Sequence, residues 1–140
     1  MKGIVFGLGA LLLAATAGTA SAQTMSYAQA GALIAKSCGP SIERFCSKVN
    51  IGTGQVMQCL MQHQDQVPRA CFDDFAAAQA SIAKRVAAQS GSFKICAPSA
   101  QEFCSGVRPG DAQMLDCLLA STKVVRPACK QVLLDAGWAN

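Results

Sequence analysis

Eight cysteines are the residues of this sequence whose type and spacing could do chemistry. A redox enzyme needs an exposed, acidic thiol, typically in a Cys-x-x-Cys motif, and zinc sites favour cysteine pairs about two to four residues apart. Here the closest pairs have seven intervening residues, and the number of cysteines is even. We therefore predict that all eight form disulfides. They are Cys38, Cys46, Cys59, Cys71, Cys96, Cys104, Cys117 and Cys129.

The cysteine spacing occurs twice. The pattern Cys-x7-Cys-x12-Cys-x11-Cys spans residues 38–71 and again 96–129, at a constant offset of 58 residues. Aligned at this offset, the two segments are identical at 14 of 34 positions. A duplicated structural unit accounts for this regularity. We call the two copies the first unit (about 38–89) and the second unit (about 96–137).

One segment of the first unit offers an alternative use of its side chains. Soft sulfur donors suit Cu(I), and residues 57–63 contain Met57, Cys59, Met61 and His63, the single histidine of the chain. The second unit has no such donors at the matching positions of Met57, Met61 and His63, which are Leu115, Leu119 and Ser121. Methionines that are replaced by leucines at the matching positions of a second repeat are typical of core filling. A histidine at a helix end is typical of a surface or capping residue. The sequence predicts no metal site, with a periplasmic copper carrier as the alternative.

The elements that position the cysteines have helical periodicity. Pro40 suits the first turn of a helix, and apolar residues then recur at helical spacing up to Cys46. A glycine-containing turn follows, and a second helix is predicted over Gln55 to His63. Val67-Pro68 breaks the chain, and a third helix, with Asp73 and Asp74 in its first turn, is predicted from there to about Gln89.

The remaining segments complete a helical plan. Residues 25–37 are predicted to form a leading helix, and Ser90-Gly91-Ser92 is predicted to separate the two units. Lys84 and Arg85 are placed near the end of the third helix, where its dipole favours cations. The second unit repeats the plan and ends near Gly137. We find no strand-like alternation of useful length, so the predicted fold class is all-α, two tandem disulfide-stapled helical repeats.

The disulfide pairing can be argued from this plan. Two antiparallel helices joined by the turn would bring Cys46 beside Cys59, and Cys38 would then lie level with Cys71. This favours nested bridges in the first unit and the corresponding pairs Cys104–Cys117 and Cys96–Cys129 in the second. Four cysteines allow three pairings in each unit, so the other pairings stay open.

The beginning of the sequence has the features of a signal peptide. Lys2 precedes an apolar run, and residues 20–22 read Ala-Ser-Ala, a pattern that signal peptidase accepts. Cleavage after Ala22 would leave a single helical domain, residues 23–140, although a retained leader stays possible. Export agrees with the high cysteine content and predicts a periplasmic or secreted protein.

The cysteine pattern resembles a known repeat. Cys-x7-Cys with phenylalanine before the second cysteine, a glycine-containing turn, Gln-x3-Cys-Leu and a fourth cysteine is similar to the cysteine-rich repeat of the large Golgi glycoprotein that binds fibroblast growth factor. Short versions occur in small exported bacterial proteins, which this chain resembles. The resemblance implies a disulfide framework and an extracytoplasmic location, and it implies no ligand.

Other classes of function find little support in the composition. One histidine and the lack of a Gly-x-Ser-x-Gly motif leave no familiar nucleophile arrangement. One tyrosine, one tryptophan and scattered basic residues do not form a nucleic-acid surface. The sequence predicts a non-enzymatic binding or structural module without a cofactor, with no membrane span after cleavage and an unknown protein or envelope partner.

Overall fold

The computed structural model describes residues 23–50, 54–108, 110 and 113–140, and within them the chain is helical, without strands. The predicted leader, residues 1–22, lies outside the described residues. The five helices of the described chain are α1 (Tyr27–Phe45), α2 (Gln55–Gln62), α3 (Arg69–Phe103), α4 (Gln113–Ala120) and α5 (Pro127–Asp135). The predicted all-α fold class is confirmed.

The long helix α3 organises the fold. It has 35 residues, which corresponds to about 52 Å at the rise of an α-helix. Helices α1 and α5 pack against it, α4 also contacts it, and α2 packs on α1. The amino-terminal part of α3 closes the first unit and its carboxyl-terminal part opens the second, so one helix belongs to both units.

The predicted break at Ser90-Gly91-Ser92 is wrong, because α3 continues through it. The Ser90 hydroxyl donates to the carbonyls of Val86 and Ala87, and the Ser92 hydroxyl donates to that of Gln89, so these side chains bond within the helix. Ser92 is buried. One glycine inside a helix costs only about 1 kcal/mol, and packing on both sides of α3 exceeds that cost.

The prediction that Pro40 begins a helix is also wrong. The leading helix and the first helix of the unit are continuous as α1, with Pro40 in its interior, and Pro98 lies at the matching place in α3. An interior proline leaves the carbonyl four residues before it without its usual N–H partner. Here the disulfide from Cys38 to Cys71 fixes α1 to α3 two residues before Pro40.

The bounds of the other elements agree with the sequence in most places. α2 covers the predicted second helix, α3 begins directly after Pro68, and Gly137, with φ of 73°, follows the end of α5. Asp73 and Asp74 lie one turn further into α3 than predicted, and Lys84 and Arg85 lie near its middle rather than its end. Both shifts follow from the bounds of the longer helix.

The core forms two clusters, one in each unit. In the first unit the disulfide cysteines surround Val56, Leu60 and Val67. In the second unit the matching core residues are joined by the apolar residues of α5 and by Trp138. Within the described part of the chain, no helix is long and apolar enough to cross a membrane.

Candidate binding groove

Four disulfides staple the two units. The bridges are Cys38–Cys71 and Cys46–Cys59 in the first unit, and Cys96–Cys129 and Cys104–Cys117 in the second. This is the nested pairing that the sequence favoured, and all eight cysteines are bridged. Intramolecular disulfides in this number indicate an oxidising compartment.

The two units have the same local geometry. The outer bridges join Cα atoms 4.8 and 4.7 Å apart, and the inner bridges join Cα atoms 6.0 and 6.1 Å apart. Matching amides make matching bonds. The amide of Val49 donates to the Cys46 carbonyl at 3.0 Å, and that of Val107 donates to the Cys104 carbonyl at the same distance. The duplication read from the sequence is therefore also present in three dimensions.

The structure does not bring the candidate copper ligands together as a site. Cys59 is in a disulfide, so its sulfur is not a thiolate. His63 is the C-cap residue of α2, where its backbone N–H donates to the Leu60 carbonyl, and its ring stacks on Phe45 with ring centroids 4.7 Å apart. Met61 is 57% exposed, so the core-filling prediction is wrong for it, and Met57 is half-buried. No group of three or more His, Cys, Asp or Glu side chains among the described residues could hold a metal ion, and the copper alternative is not favoured.

The described residues of the first unit form an apolar groove between α1, α2 and α3. Its volume is about 400 Å³, within the range of ligand-binding pockets. Among the described residues, no charged side chain lines it. The residues that line it are Gly31, Ile34, Ala35, Ile42, Gly54, Val56, Met57 and Phe75. We call this feature the first groove.

The first groove extends along the packed helices. Ile34 and Phe75 also line a neighbouring, mostly apolar depression of about 240 Å³ between α1 and α3, together with Ala30, Ala78, Gln79 and Ile82. Gly31 exposes its backbone at the edge of the first groove, because a Cβ atom built on it would meet nothing within 4 Å. The arrangement can bury an apolar ligand and lets another chain approach α1 closely.

The second unit has a much smaller cavity at a partly corresponding place. It is a cavity of only about 10 Å³ lined by Ser92, Phe93, Cys96, Leu115, Leu118, Leu133 and Trp138. At the repeat offset, Ser92, Phe93, Leu115 and Leu133 correspond to Ile34, Ala35, Met57 and Phe75 of the first groove. Trp138 is the additional wall, and it packs against the core of the second unit.

A polar cluster around Arg85 joins the two ends of the described chain. The guanidinium donates to the carbonyls of Thr24, Met25 and Ala136, at 3.2, 2.8 and 3.1 Å. Lys84 pairs with the buried carboxylate of Asp135 at 2.8 Å. A Cβ atom on Gly137 would collide with the Arg85 side chain. We call this arrangement the Arg85 cluster, and its role is structural.

Sequence reasoning did not find the first groove or the Arg85 cluster. The repeat alignment carried one usable signal for the groove: Trp138 has no aromatic counterpart, because position 80 is alanine. Such a mismatch marks a place where the two units are packed differently. For Arg85 no such signal exists, since its partners are backbone carbonyls far away in sequence.

Comparison with known proteins gives one family match. The family model described as "Cysteine rich repeat" matches residues 29–68, which span α1, the first turn, α2 and both inner-bridge cysteines of the first unit. No curated protein and no solved structure gave a match. The match agrees with the resemblance seen in the cysteine spacing.

Proposed function

We propose that this chain, whose residues 29–68 match the family model described as "Cysteine rich repeat", is a non-enzymatic binding module whose ligand site is the first groove. The observation that carries this proposal is the open apolar groove of about 400 Å³ between three helices that the disulfides hold in place. Burial of apolar surface contributes about 25 cal/mol per Å², so such a groove can bind without charged contacts.

The framework supports binding rather than chemistry. The bridge Cys38–Cys71 fixes α1 to α3, and the bridge Cys46–Cys59 fixes the end of α1 to α2. The groove between these helices is therefore formed before a ligand arrives. A preformed site avoids part of the ordering cost of association. All eight cysteines are bridged, so none of them offers a thiol that could act as a nucleophile.

A location outside the cytoplasm is part of the proposal. Disulfides persist in the periplasm and in secreted proteins, and residues 1–22 have the pattern of a signal peptide. The processed chain would then begin at Gln23, directly before the Arg85 cluster. Intact mass of protein exported and purified without reductant tests this point. The expected mass is that of residues 23–140 minus the eight hydrogens of four disulfides, and a retained leader or free thiols would contradict it.

The binding proposal is tested with an apolar fluorescent probe, 1-anilinonaphthalene-8-sulfonate, on two matched variants. Gly31→Leu places a side chain in open space at the first groove, and Ala32→Leu adds the same side chain at an exposed neighbouring position that does not line it. We expect Gly31→Leu to weaken probe binding by about tenfold, equivalent to about 1.4 kcal/mol, and Ala32→Leu to leave it unchanged. Equal binding by both variants and the parent protein would refute the proposal.

A further inference from the structure

A single residue separates the predicted leader from the part of the chain that is fixed by contacts. Cleavage after Ala22 would leave Gln23 as the first residue, and Gln23 is exposed. Thr24, the next residue, is only 6% exposed. Its hydroxyl donates to the Asp135 carbonyl at 2.6 Å, and its own carbonyl accepts from the Arg85 guanidinium at 3.2 Å. The fixed part of the chain therefore begins directly after Gln23.

The anchoring continues through the next two residues. The Met25 amide donates to the Ser81 hydroxyl at 2.7 Å, and the Met25 carbonyl accepts from Arg85 at 2.8 Å. Ser26 then caps the amino-terminal end of α1. Gln23, by contrast, makes no hydrogen bond to any other residue in the part of the chain that the structure describes. Its side chain can therefore change conformation while the residues after it stay in place.

An amino-terminal glutamine carries both partners of a ring-closing reaction. The neutral α-amine attacks the side-chain Cδ atom, a bond forms between the backbone nitrogen and Cδ, and the bond from Cδ to Nε2 breaks. Nε2 takes up the proton that the amine loses and leaves as ammonia. The product is a five-membered lactam, pyroglutamate, and the step needs no oxidant, reductant or cofactor. An α-amine titrates at lower pH than a lysine amine, so part of it is neutral near neutral pH.

We propose that Gln23 of the processed protein is a modification site that closes to pyroglutamate. The inference rests on the processing step of the proposed function, cleavage after Ala22. The contacts of Thr24 hold the new end of the chain at the surface, so the fold does not oppose the reaction. Gln23 borders two surface depressions of about 330 and 360 Å³, which leave room for its side chain to turn back on its own backbone.

The modified end differs from a free amino terminus in two ways. It has lost the positive charge of the α-amine, and it presents no amine to an aminopeptidase. Thr24 and Met25, which follow it, then stay in the Arg85 cluster, where they hold the beginning of the domain against its end. A binding module outside the cytoplasm thereby keeps an end that exopeptidases do not shorten.

The test follows the intact mass of the exported, disulfide-bonded protein with time after synthesis. We expect the mass of residues 23–140 with four disulfides to fall by the mass of one ammonia molecule. A synthetic peptide of residues 23–30 gives the intrinsic rate, and the protein should cyclise no more than about tenfold more slowly. Gln23→Asn is the matched control. It keeps a side-chain amide, but its ring would have four members and be strained, so its mass should stay constant.

The outcomes separate the inference from the proposed function. A protein that starts at Gln23 and keeps its free amine, or that cyclises more slowly than this limit, would overturn the inference and leave the proposed export intact. An equal loss of mass by Gln23→Asn would also overturn it, because the ammonia would then come from another residue. A retained leader, or cleavage at another bond, would overturn the proposed processing and the inference together. The fluorescent-probe test of the first groove is independent of all these results.

Discussion

The two units of this protein share a framework and differ in what their last helix does. Both have an outer and an inner disulfide with matching Cα separations, and both bury a leucine, a valine and three of the four cysteines at matching positions. In the first unit the last helix continues and becomes the first helix of the second unit. In the second unit it ends after nine residues, and the chain turns back to place Trp138 on the core.

This difference shows that one disulfide framework can hold differently packed surroundings. The first groove has a volume of about 400 Å³, and the cavity at the partly corresponding place in the second unit has a volume of about 10 Å³. Matched lining side chains differ in size, as with Phe93 for Ala35 and Ser92 for Ile34, and Trp138 has no aromatic counterpart in the first unit.

The largest loss of stability is expected when an outer disulfide is removed. Comparing the two removals tests whether both units depend equally on this bridge. Replacing Cys38 and Cys71 together by alanine, or Cys96 and Cys129 together, removes a bridge with a sequence separation of 33 in either case. Because the closed loops are equal in length, each pair should lower the free energy of unfolding by about 2–5 kcal/mol. Urea unfolding followed by circular dichroism measures both.

The two losses should agree within about 1 kcal/mol, since loop entropy is the shared term. A loss confined to one unit would show that the frameworks are not equivalent. Alanine is used at both ends of each bridge so that no free thiol remains to exchange with the other disulfides.

The next largest loss of stability is expected at Trp138, which has no aromatic counterpart in the first unit. Trp138→Ala should lower the free energy of unfolding by about 2–4 kcal/mol, because the indole packs against the core and a cavity would remain. Tyr27→Ala removes a ring that is 61% exposed and should change stability by less than about 0.5 kcal/mol. Thermal unfolding of both variants gives the comparison, and equal effects would mean that Trp138 does not fill the second unit.

Part of the fold could be predicted from the sequence, and part could not. The positions of α2, the start of α3 and the nested disulfides follow from local signals: cysteine spacing, Gly54 and Val67-Pro68. The continuity of α1 through Pro40 and of α3 through Gly91 does not, because packing on neighbouring helices outweighs a local preference of a few kcal/mol at most. The first groove is lined by residues of α1, α2 and α3 that are far apart in sequence, so no local pattern encodes it.

A smaller effect is expected at a matched pair of buried serines. The Ser99 hydroxyl accepts from the Arg126 amide at 3.1 Å, and at the corresponding place in the first unit Pro68 has no amide hydrogen to donate to Ser41. Ser99→Ala leaves a donor unpaired and should cost about 1 kcal/mol more than Ser41→Ala. Urea unfolding of the two single variants measures this difference, and a greater loss for Ser41→Ala would contradict the assignment.

The smallest effect tests the helix that joins the units. Gly91 is helical, and an added Cβ atom would make only an ordinary contact with Ile95 at 3.7 Å. Gly91→Ala should therefore raise the free energy of unfolding by about 0.5–1 kcal/mol and keep one unfolding transition. Gly54→Ala, at φ of 75°, should be destabilising instead. Two transitions, or no gain for Gly91→Ala, would indicate a flexible linker at this position.

The Arg85 cluster has a consequence for how the domain can be joined to other sequences. The Thr24 hydroxyl donates to the Asp135 carbonyl at 2.6 Å, and Arg85 binds carbonyls on both sides of this contact. The chain therefore enters and leaves the domain at neighbouring points. A domain of this kind can be inserted into a loop of a host protein or circularly permuted with a short connection. Permutants whose new ends lie outside α3 would keep both units on one continuous helix.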